Sequence, residues 1–341
     1  MTPDSDSAPP AYPLTFEPLF KERLWGGRRL AGFPGKVLPD GVNIGESWEV
    51  TDRPEGISVV ANGPDRGRTL HDLMEQRPGW LTGGVPAPGG RFPWLVKFLD
   101  ARDDLSLQVH PPAHRAQELG GEPKTELWYV VAADPGARLY TGLRRGVTRA
   151  EFERRTRDGS VAELFHVHPV TAGDVMFLPS GRVHALGAGN LVFEIQQNSD
   201  TTYRVFDWNR VGPDGRAREL HLEPSFASIQ FFDCEPGLVA GVAESIGAGL
   251  HRRKLVRDPL FSVDHWTLDP GAILRPEGGV LTVVAVVEGS ARVSGGGVEV
   301  ILQQGGVAVL PAALECATVV SESGAECLIV APGVPRVEGP V

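Results

Sequence analysis

The sequence predicts an all-β-dominated protein with a few short helices, and three observations carry that prediction. Its 42 glycines and 29 prolines cut the 341 residues into short segments. Those segments are rich in Val, Leu, Phe and Trp, residues that suit a pleated, half-buried surface. Helical spacing of apolar residues recurs only in brief stretches. In chain order, a helix is expected at 70–77, a strand at 94–99, a helix at 113–119 and a strand at 127–131. Helices at 149–156 and 161–165 and strands at 175–178 and 191–196 follow, each strand an apolar run bounded by turn residues. A loop-rich stretch, 210–249, separates this part from a second β-rich part with strands at 280–287 and 307–310. The domain boundary is placed at 240–250, giving domains 1–245 and 246–341.

Composition narrows the function. A content of 41% hydrophobic residues suffices for a core in each of two domains. No run of eighteen apolar residues occurs, and the start, 1–13, is polar and proline-containing rather than basic and then apolar, so neither membrane insertion nor secretion is expected. Cys234, Cys316 and Cys327 are an odd number without CxxC spacing, which argues against a disulfide framework or a cysteine zinc cluster and for a reducing, cytoplasmic setting. A formal net charge of -10 disfavours nucleic acid or an anionic membrane as partner. An anionic substrate would have to be met by a local basic site.

The most informative segment places Gly173, five residues, Pro179, one residue, Gly181, two residues and then His184. This fits the second cupin motif, in which an apolar strand enters a β-barrel, the Pro/Gly turn reverses it and the histidine is returned to the interior. A lone histidine is more often a core residue bonded to its neighbours, but the whole motif reverses that preference. Further candidates lie upstream. Gln108 and His110 are two apart on an expected strand and therefore share a face. Glu126 stands at the entrance of the 127–131 strand. Two imidazoles, a carboxylate and an amide oxygen form a donor set suited to Zn²⁺ and able to hold Mn²⁺, Co²⁺ or Fe²⁺.

Beyond these residues the chain resembles the type I (cupin) mannose-6-phosphate isomerases, especially their shorter bacterial form. The matching pieces, in order, are Leu24 to Gly27, Gly45 to Glu49, Phe98 to Asp100, Leu105 to Pro111, Lys124 to Glu126, Pro179 to Gly181 with His184 to Leu186, and Glu194 to Asp200 with Arg204. The resemblance implies two cupin (jelly-roll) barrels, of which only the first binds metal. It implies one Zn²⁺ per chain, with Gln108, His110, Glu126 and His184 as ligands. The activity implied is interconversion of mannose 6-phosphate and fructose 6-phosphate through an enediol or enediolate. Lys97, eleven residues before Gln108, falls on the family's lysine; within an apolar strand its pKa would be lowered by burial, which suits an acid/base group. Its common alternative fate is to snorkel to the barrel rim. Asp200 and Arg204 would stand in the active site, Arg204 against an enediolate or a phosphate. Ser106, Lys124 and Glu194 would stand near the substrate, the first two on the phosphate side.

Departures and rival readings bound the resemblance. Pro123 stands where longer bacterial members carry a histidine, and 149–165 is all that occupies the place of their helical insertion. Near the C-terminus the motif recurs in degraded form, with Gly305 and Pro311 but Ala313 and Cys316 where glycine and histidine belong, as expected of a metal-free barrel that packs and stabilises. His166 and His168 have metal-like spacing without a following carboxylate and are read as structural. His71, His114, His221, His251 and His265 belong to no constellation, and Trp25, Trp48, Trp94 and Trp128 are read as core. The rival functions are a non-catalytic sugar-phosphate-binding cupin and an isomerase of a related phosphosugar; a cupin dioxygenase is disfavoured by the glutamine and glutamate ligands. The expected partner is a small phosphosugar, the assembly a monomer or weak homodimer.

Overall fold

A computed structural model describes residues 10–212 and 215–334; most of the polar start, 1–9, lies outside the described residues. Among the described residues strand far outweighs helix, and no helix there is long and apolar enough to cross a membrane. It divides into two compact units. One comprises Leu19–Trp48 and Trp94–Ala240; the other comprises the described residues up to Pro18, then Glu49–Pro93 and everything from Gly241 onward.

The first unit holds two antiparallel sheets. Its six-stranded sheet runs in the order Leu19–Gly27, Ile44–Val50, Trp94–Ala101, Asn190–Gln197, Glu126–Ala133, Val175–Leu178. Its five-stranded sheet runs Tyr203–Phe206, Leu107–Val109, His184–Leu186, Arg138–Leu143, Phe165–Pro169. Every residue of Trp94–Ala101 is buried, which is why that strand reads as a continuous apolar run rather than an alternation. One core cluster of this unit gathers Trp25, Leu99, Trp128, Met176 and Leu186. A second gathers Leu107, Phe152, Phe165, Val205 and Phe226, so the Arg149–Asp158 helix is held by Phe152. That helix is capped by Thr148, whose hydroxyl accepts from the Glu151 N–H, and it stops at Gly159 in the left-handed region at φ 81°.

The second unit is built on a nine-stranded antiparallel sheet. Its main path is Val242–Gly247, Leu250–Arg257, Phe261–Leu268, Ala325–Pro332, Thr282–Gly295, Ala317–Val320, Ile273–Leu274. The fourteen-residue strand Thr282–Gly295 is irregular near Val286 and Glu288, and its two halves pair different neighbours, Val307–Leu310 first and Val298–Gln303 second. Apolar side chains fill the interior, among them Trp266, Val284, Val293, Leu310 and Cys327. The Leu70–Gln76 helix of this unit starts in a capping box: Thr69 accepts from the Asp72 N–H while the Asp72 carboxylate accepts from the Thr69 N–H.

The expected elements form with small boundary differences, except that 113–119 shortens to the helix Ala113–Ala116 and 280–287 extends to residue 295. The stretch expected to be loop contains a helix, Leu222–Ser228, and a strand, Val242–Gly247. Phe226 explains the helix: it is buried against Phe152 with ring centroids 6.2 Å apart, a tertiary contact that local propensity cannot reveal. The expected single cut at 245 also differs from the observed division, because Glu49–Pro93 is grouped with the C-terminal residues. Leu14 pairs with Val309 there, a contact 295 residues distant in sequence.

Candidate metal centre and active site

The turn between Leu178 and His184 shows how the motif presents its histidine. The Arg182 N–H donates to the Pro179 carbonyl at 3.1 Å, and Gly181 is fixed from both sides: its N–H donates to the His110 carbonyl and its carbonyl accepts from the Gln230 N–H, each at 2.9 Å. Gly181 has φ +91°, and a Cβ there would come within 2.8 Å of the Gln230 side chain, so conformation and space both require glycine. Beyond the turn, the strand register sets Arg204, Gln108, His184 and Thr141 in one row across the five-stranded sheet.

Glu126 comes from the other sheet and meets this row. His110, Glu126 and His184 are buried, with one potential ligand atom from each lying within 4.8 Å of the others. His184 Nε2 is 3.1 Å from Glu126 Oε1, and His110 Nε2 is 3.4 Å from Glu126 Oε2. Each imidazole uses its other nitrogen on a backbone carbonyl, His110 Nδ1 on Thr201 at 2.8 Å and His184 Nδ1 on Arg182 at 2.9 Å. A carbonyl only accepts, so Nδ1 carries the proton and Nε2 keeps a lone pair directed at Glu126. The Gln108 amide lies 3.3 Å from His184 Nε2, and a half-turn about its last bond would present Oε1 at the same place.

These donors fit a divalent cation. His110 Nε2 and both Glu126 oxygens are buried without a hydrogen-bond partner. The close approaches of Lys124 Nζ, at 2.9 Å, and of the two imidazoles to that carboxylate are therefore ion-pair distances at angles unsuited to hydrogen bonds. Unsatisfied buried acceptors are costly in a folded protein, and a cation shared by them resolves the deficit. Burial, with Lys124 second, pushes His110 down to about 3, so its imidazole is neutral at physiological pH. Burial opposes ionisation of Glu126, but Lys124 and His110 outweigh it and hold the carboxyl well below its usual range. Neutral nitrogen and anionic oxygen donors are the protonation states that metal binding requires.

The motif around Asn198 explains the second anchor. The Gln197 carboxamide oxygen accepts from the Thr125 N–H at 2.9 Å, and the Ser180 N–H donates to the Thr125 hydroxyl at 3.1 Å. Ser199 Oγ donates to the Glu122 carbonyl and accepts from the Thr201 N–H. The loop is thus clamped to the segment before Glu126, and this fixes the Thr201 carbonyl that orients His110.

A cavity of about 390 Å³ opens beside this cluster. Lys97, Ser106, Gln108, Lys124, Glu194, Asp200 and Arg204 all line it, so the structure brings every non-histidine residue expected at the site to one cavity, except Glu126, which is paired with Lys124 at 2.9 Å. Five cations (Arg23, Lys97, Lys124, Arg204, Arg218) and three carboxylates (Glu46, Glu194, Asp200) face it, a local basic site in a chain of net charge -10. Trp25 and Trp128, read as core, also line it; Trp128 is fully buried, sets its ring edge-on to His184 at 5.3 Å and donates Nε1 to Glu194 Oε2 at 2.5 Å.

Lys97 departs from the sequence expectation. Burial does act to lower its pKa, but Glu194 at 3.0 Å and Glu46 at 3.6 Å overcome it and raise the ammonium above its ordinary value. The lysine is held charged, so it starts as a proton donor and not as a base. The Glu194 carboxyl is also raised, by burial and by the charge of Glu126. Four pocket residues escaped the sequence reading: Arg23, Glu46, Thr202 and Arg218. Glu46 lay inside a matched segment, and a charge on the same strand face as Ile44 and Trp48 was the available signal. Arg218 is fixed by Asp207 through two bonds, of 2.7 and 2.5 Å, that no local pattern announces.

Among the other histidines, His221 Nδ1 accepts from the Arg204 N–H at 3.1 Å, while Arg204 Nη1 donates to the Glu219 carbonyl. His71 pairs with Asp52, His251 with Asp269 and His265 with Glu326, and none of them joins a group of three donors among the described residues. The His166 and His168 rings pack edge to face at 4.3 Å and join no cluster of three donors among the described residues.

Glu46 also yields a stability prediction. Burial would raise its carboxyl, but Lys97 and Arg23 overcome this and hold it at about 2, against 4.5 unperturbed. A carboxyl lowered on folding contributes stability that is fully present above its unfolded value and is lost as the pH falls towards the folded one. The melting temperature of Glu46→Gln should therefore trail the unaltered protein most near neutral pH, and the gap should narrow from pH 4.5 towards 2. A gap that stays constant across that window contradicts the assignment.

The chain is similar to known proteins over most of its length. A family model described as phosphomannose isomerase type I, catalytic domain, matches residues 14–136. A probable mannose-6-phosphate isomerase of Bacillus subtilis, GmuF, is 38% identical over 290 residues, covering 84% of this chain and 90% of its own. The mannose-6-phosphate isomerase ManA of the same organism is 39% identical over 289 residues, with 83% and 88% covered. The crystal structure of a mannose 6-phosphate isomerase from Bacillus subtilis superposes with a TM-score of 0.83 at 33% identity, covering 94% of this chain and 99% of that one.

Proposed function

Because the chain belongs to the type I phosphomannose isomerases, we infer that its cation-lined pocket interconverts mannose 6-phosphate and fructose 6-phosphate by moving a proton between C2 and C1. It is an aldose-ketose isomerase, and it depends on a divalent metal, Zn²⁺ in the first instance. The observation that carries the reading is the meeting of His110, Glu126 and His184 donor atoms, with Gln108 beside them, at the wall of a pocket lined by five cations. We assign those four residues as ligands of one cation per chain, with Mn²⁺, Co²⁺ or Fe²⁺ as possible substitutes. Bound there, the metal would act as a Lewis acid that polarises and orients sugar oxygens.

The chain's own residues supply the rest. Lys97 starts as an ammonium, so its part is that of an acid, placing a proton on the oxygen that changes from carbonyl to hydroxyl and, as the amine so formed, taking back the proton of the hydroxyl that becomes the carbonyl. The carbon-bound proton must leave to a group that starts as a base; Asp200 lines the pocket and is assigned that role. Arg204 offsets the negative charge of the enediolate as a preorganised electrostatic group. Ser106, Lys124 and Glu194 bind the substrate, with Ser106 and Lys124 towards the phosphate.

The same reading takes each unit as a cupin barrel and the second as metal-free. Its apolar interior and the exposed Cys316 at the position of the motif histidine support this. Three free cysteines suit a reducing cytoplasm, and a monomer or weak homodimer is proposed. The test is a coupled assay of mannose 6-phosphate turning into fructose 6-phosphate on chelator-stripped protein, before and after Zn²⁺, Mn²⁺ or Co²⁺ is returned. Turnover is expected only with metal. Folded protein that stays inactive with every metal overturns the assignment in favour of a sugar-phosphate-binding role.

A further inference from the structure

The pocket lining carries a chain of charges, Arg23, Glu46 and Lys97, of which the roles above use only the lysine. Arg23 Nε donates to Glu46 Oε1 at 2.6 Å, Trp48 Nε1 donates to Glu46 Oε2 at 2.6 Å, and Lys97 Nζ lies 3.6 Å from that same oxygen. The three carriers sit on neighbouring strands of the six-stranded sheet, Leu19–Gly27, Ile44–Val50 and Trp94–Ala101. The Glu46 side chain is 8% exposed and that of Lys97 6%, whereas Arg23 keeps 33%, so the row runs from the buried lysine out to an arginine that solvent and ligand can reach. All three line the cavity.

We propose that Arg23 is a substrate-binding residue for the phosphosugar, and that Glu46 is a positioning residue that fixes Arg23 and Lys97 at a set spacing along the pocket wall. The inference rests on the isomerase reading and deepens it. A free arginine or lysine in water samples many rotamers; a buried carboxylate bonded to one and paired with the other removes that freedom before the substrate arrives. Trp48 makes the arrangement rigid, since its indole N–H, on the same strand, holds the second carboxylate oxygen in place. With Nε spent on Glu46, Arg23 retains terminal N–H groups for an anionic oxygen. Its counterion is the same group that holds the acid of the reaction, so binding and chemistry are linked through one side chain. Glu46 touches no reacting atom itself; its effect passes through its two partners.

Two variants separate these effects. Arg23→Met removes the exposed cation and keeps the alkyl stem; its KM for mannose 6-phosphate should rise by about tenfold to a hundredfold, the loss of one charge-assisted bond, with kcat nearly unchanged. Glu46→Gln keeps the size of the side chain and an oxygen for Trp48, so a merely structural role would leave both constants in place. Its kcat should fall by roughly tenfold to a hundredfold through misplacement of Lys97, and its KM should rise as that of Arg23→Met does. In the double variant the KM should be no higher than in Arg23→Met alone, because the second change removes a support whose object is already gone. If Glu46→Gln does not fold, Arg23→Met still decides: an unchanged KM overturns the inference. An unaltered protein that turns over mannose 6-phosphate, with a KM indifferent to Arg23, overturns the inference alone; an unaltered, metal-loaded protein without turnover overturns the isomerase reading beneath it.

Discussion

Glu126→Gln protein, purified and folded, is expected to carry little metal and to lose turnover on the order of 10³-fold. The substitution keeps the volume of a residue that is fully buried, so its effect is chemical rather than steric. In the native protein two imidazole Nε2 atoms, their lone pairs turned inward, and the Lys124 ammonium surround one carboxylate, an arrangement of acceptors that a shared cation would complete. An amide has no charge and only one oxygen to offer, and its NH₂ group would donate to the His110 and His184 lone pairs that a metal needs. A Lewis acid supplies several kcal/mol of charge stabilisation, and each factor of ten in rate is about 1.4 kcal/mol, which gives the stated order. Metal content by atomic emission and mannose 6-phosphate turnover should fall together. Full activity with stoichiometric metal would remove Glu126 from the ligand set; loss of activity with metal retained would move it from ligand to another role.

Glu126 was legible in the sequence, and the reason is local. Its position at the start of an apolar strand, and that of His184 after a Pro/Gly turn, are set by chemistry within a dozen residues. The Gln108 and His110 pair follows from strand periodicity in the same way. The division of the chain was not legible, since the pairing of Leu14 with Val309 has no counterpart in local pattern. Nor was the Leu222–Ser228 helix, which contains Pro224 and owes its place to burial of Phe226. The charge state of Lys97 was misread for a related reason. A lysine amid Leu95, Val96, Phe98 and Leu99 looks desolvated, and desolvation alone would lower its pKa. Its neutralising partners, Glu46 and Glu194, come from other strands and meet it only through sheet register: Glu194 pairs directly across from Lys97. The sign of the shift is thus a property of the sheet and not of the strand.

That corrected sign shapes the second large effect. Lys97→Met should lower kcat by roughly 10²- to 10⁴-fold, the range for loss of a positioned acid or base, while metal content stays normal because Lys97 is not among the assigned ligands. The two readings of the lysine differ in what the pH should do. A lysine lowered by burial would act as a base that gains activity as the pH rises. A lysine raised by Glu194 and Glu46 remains an ammonium throughout the neutral range, so its removal should depress kcat by a similar factor at pH 6.5 and pH 8.5. Stability also follows from the raised value: a cation whose pKa is higher in the folded state contributes stability below its unfolded value, near 10.4, and loses it as the pH rises through the folded one. Met fills much of the space but leaves Glu194 with Trp128 as its hydrogen-bond donor and Glu46 with Trp48 and Arg23. Two buried carboxylates short of a cation should destabilise the variant at neutral pH, so its melting temperature must be read beside kcat. A folded, metal-loaded Lys97→Met protein with normal turnover would remove the lysine from the reaction and leave proton transfer to Asp200 and its surroundings.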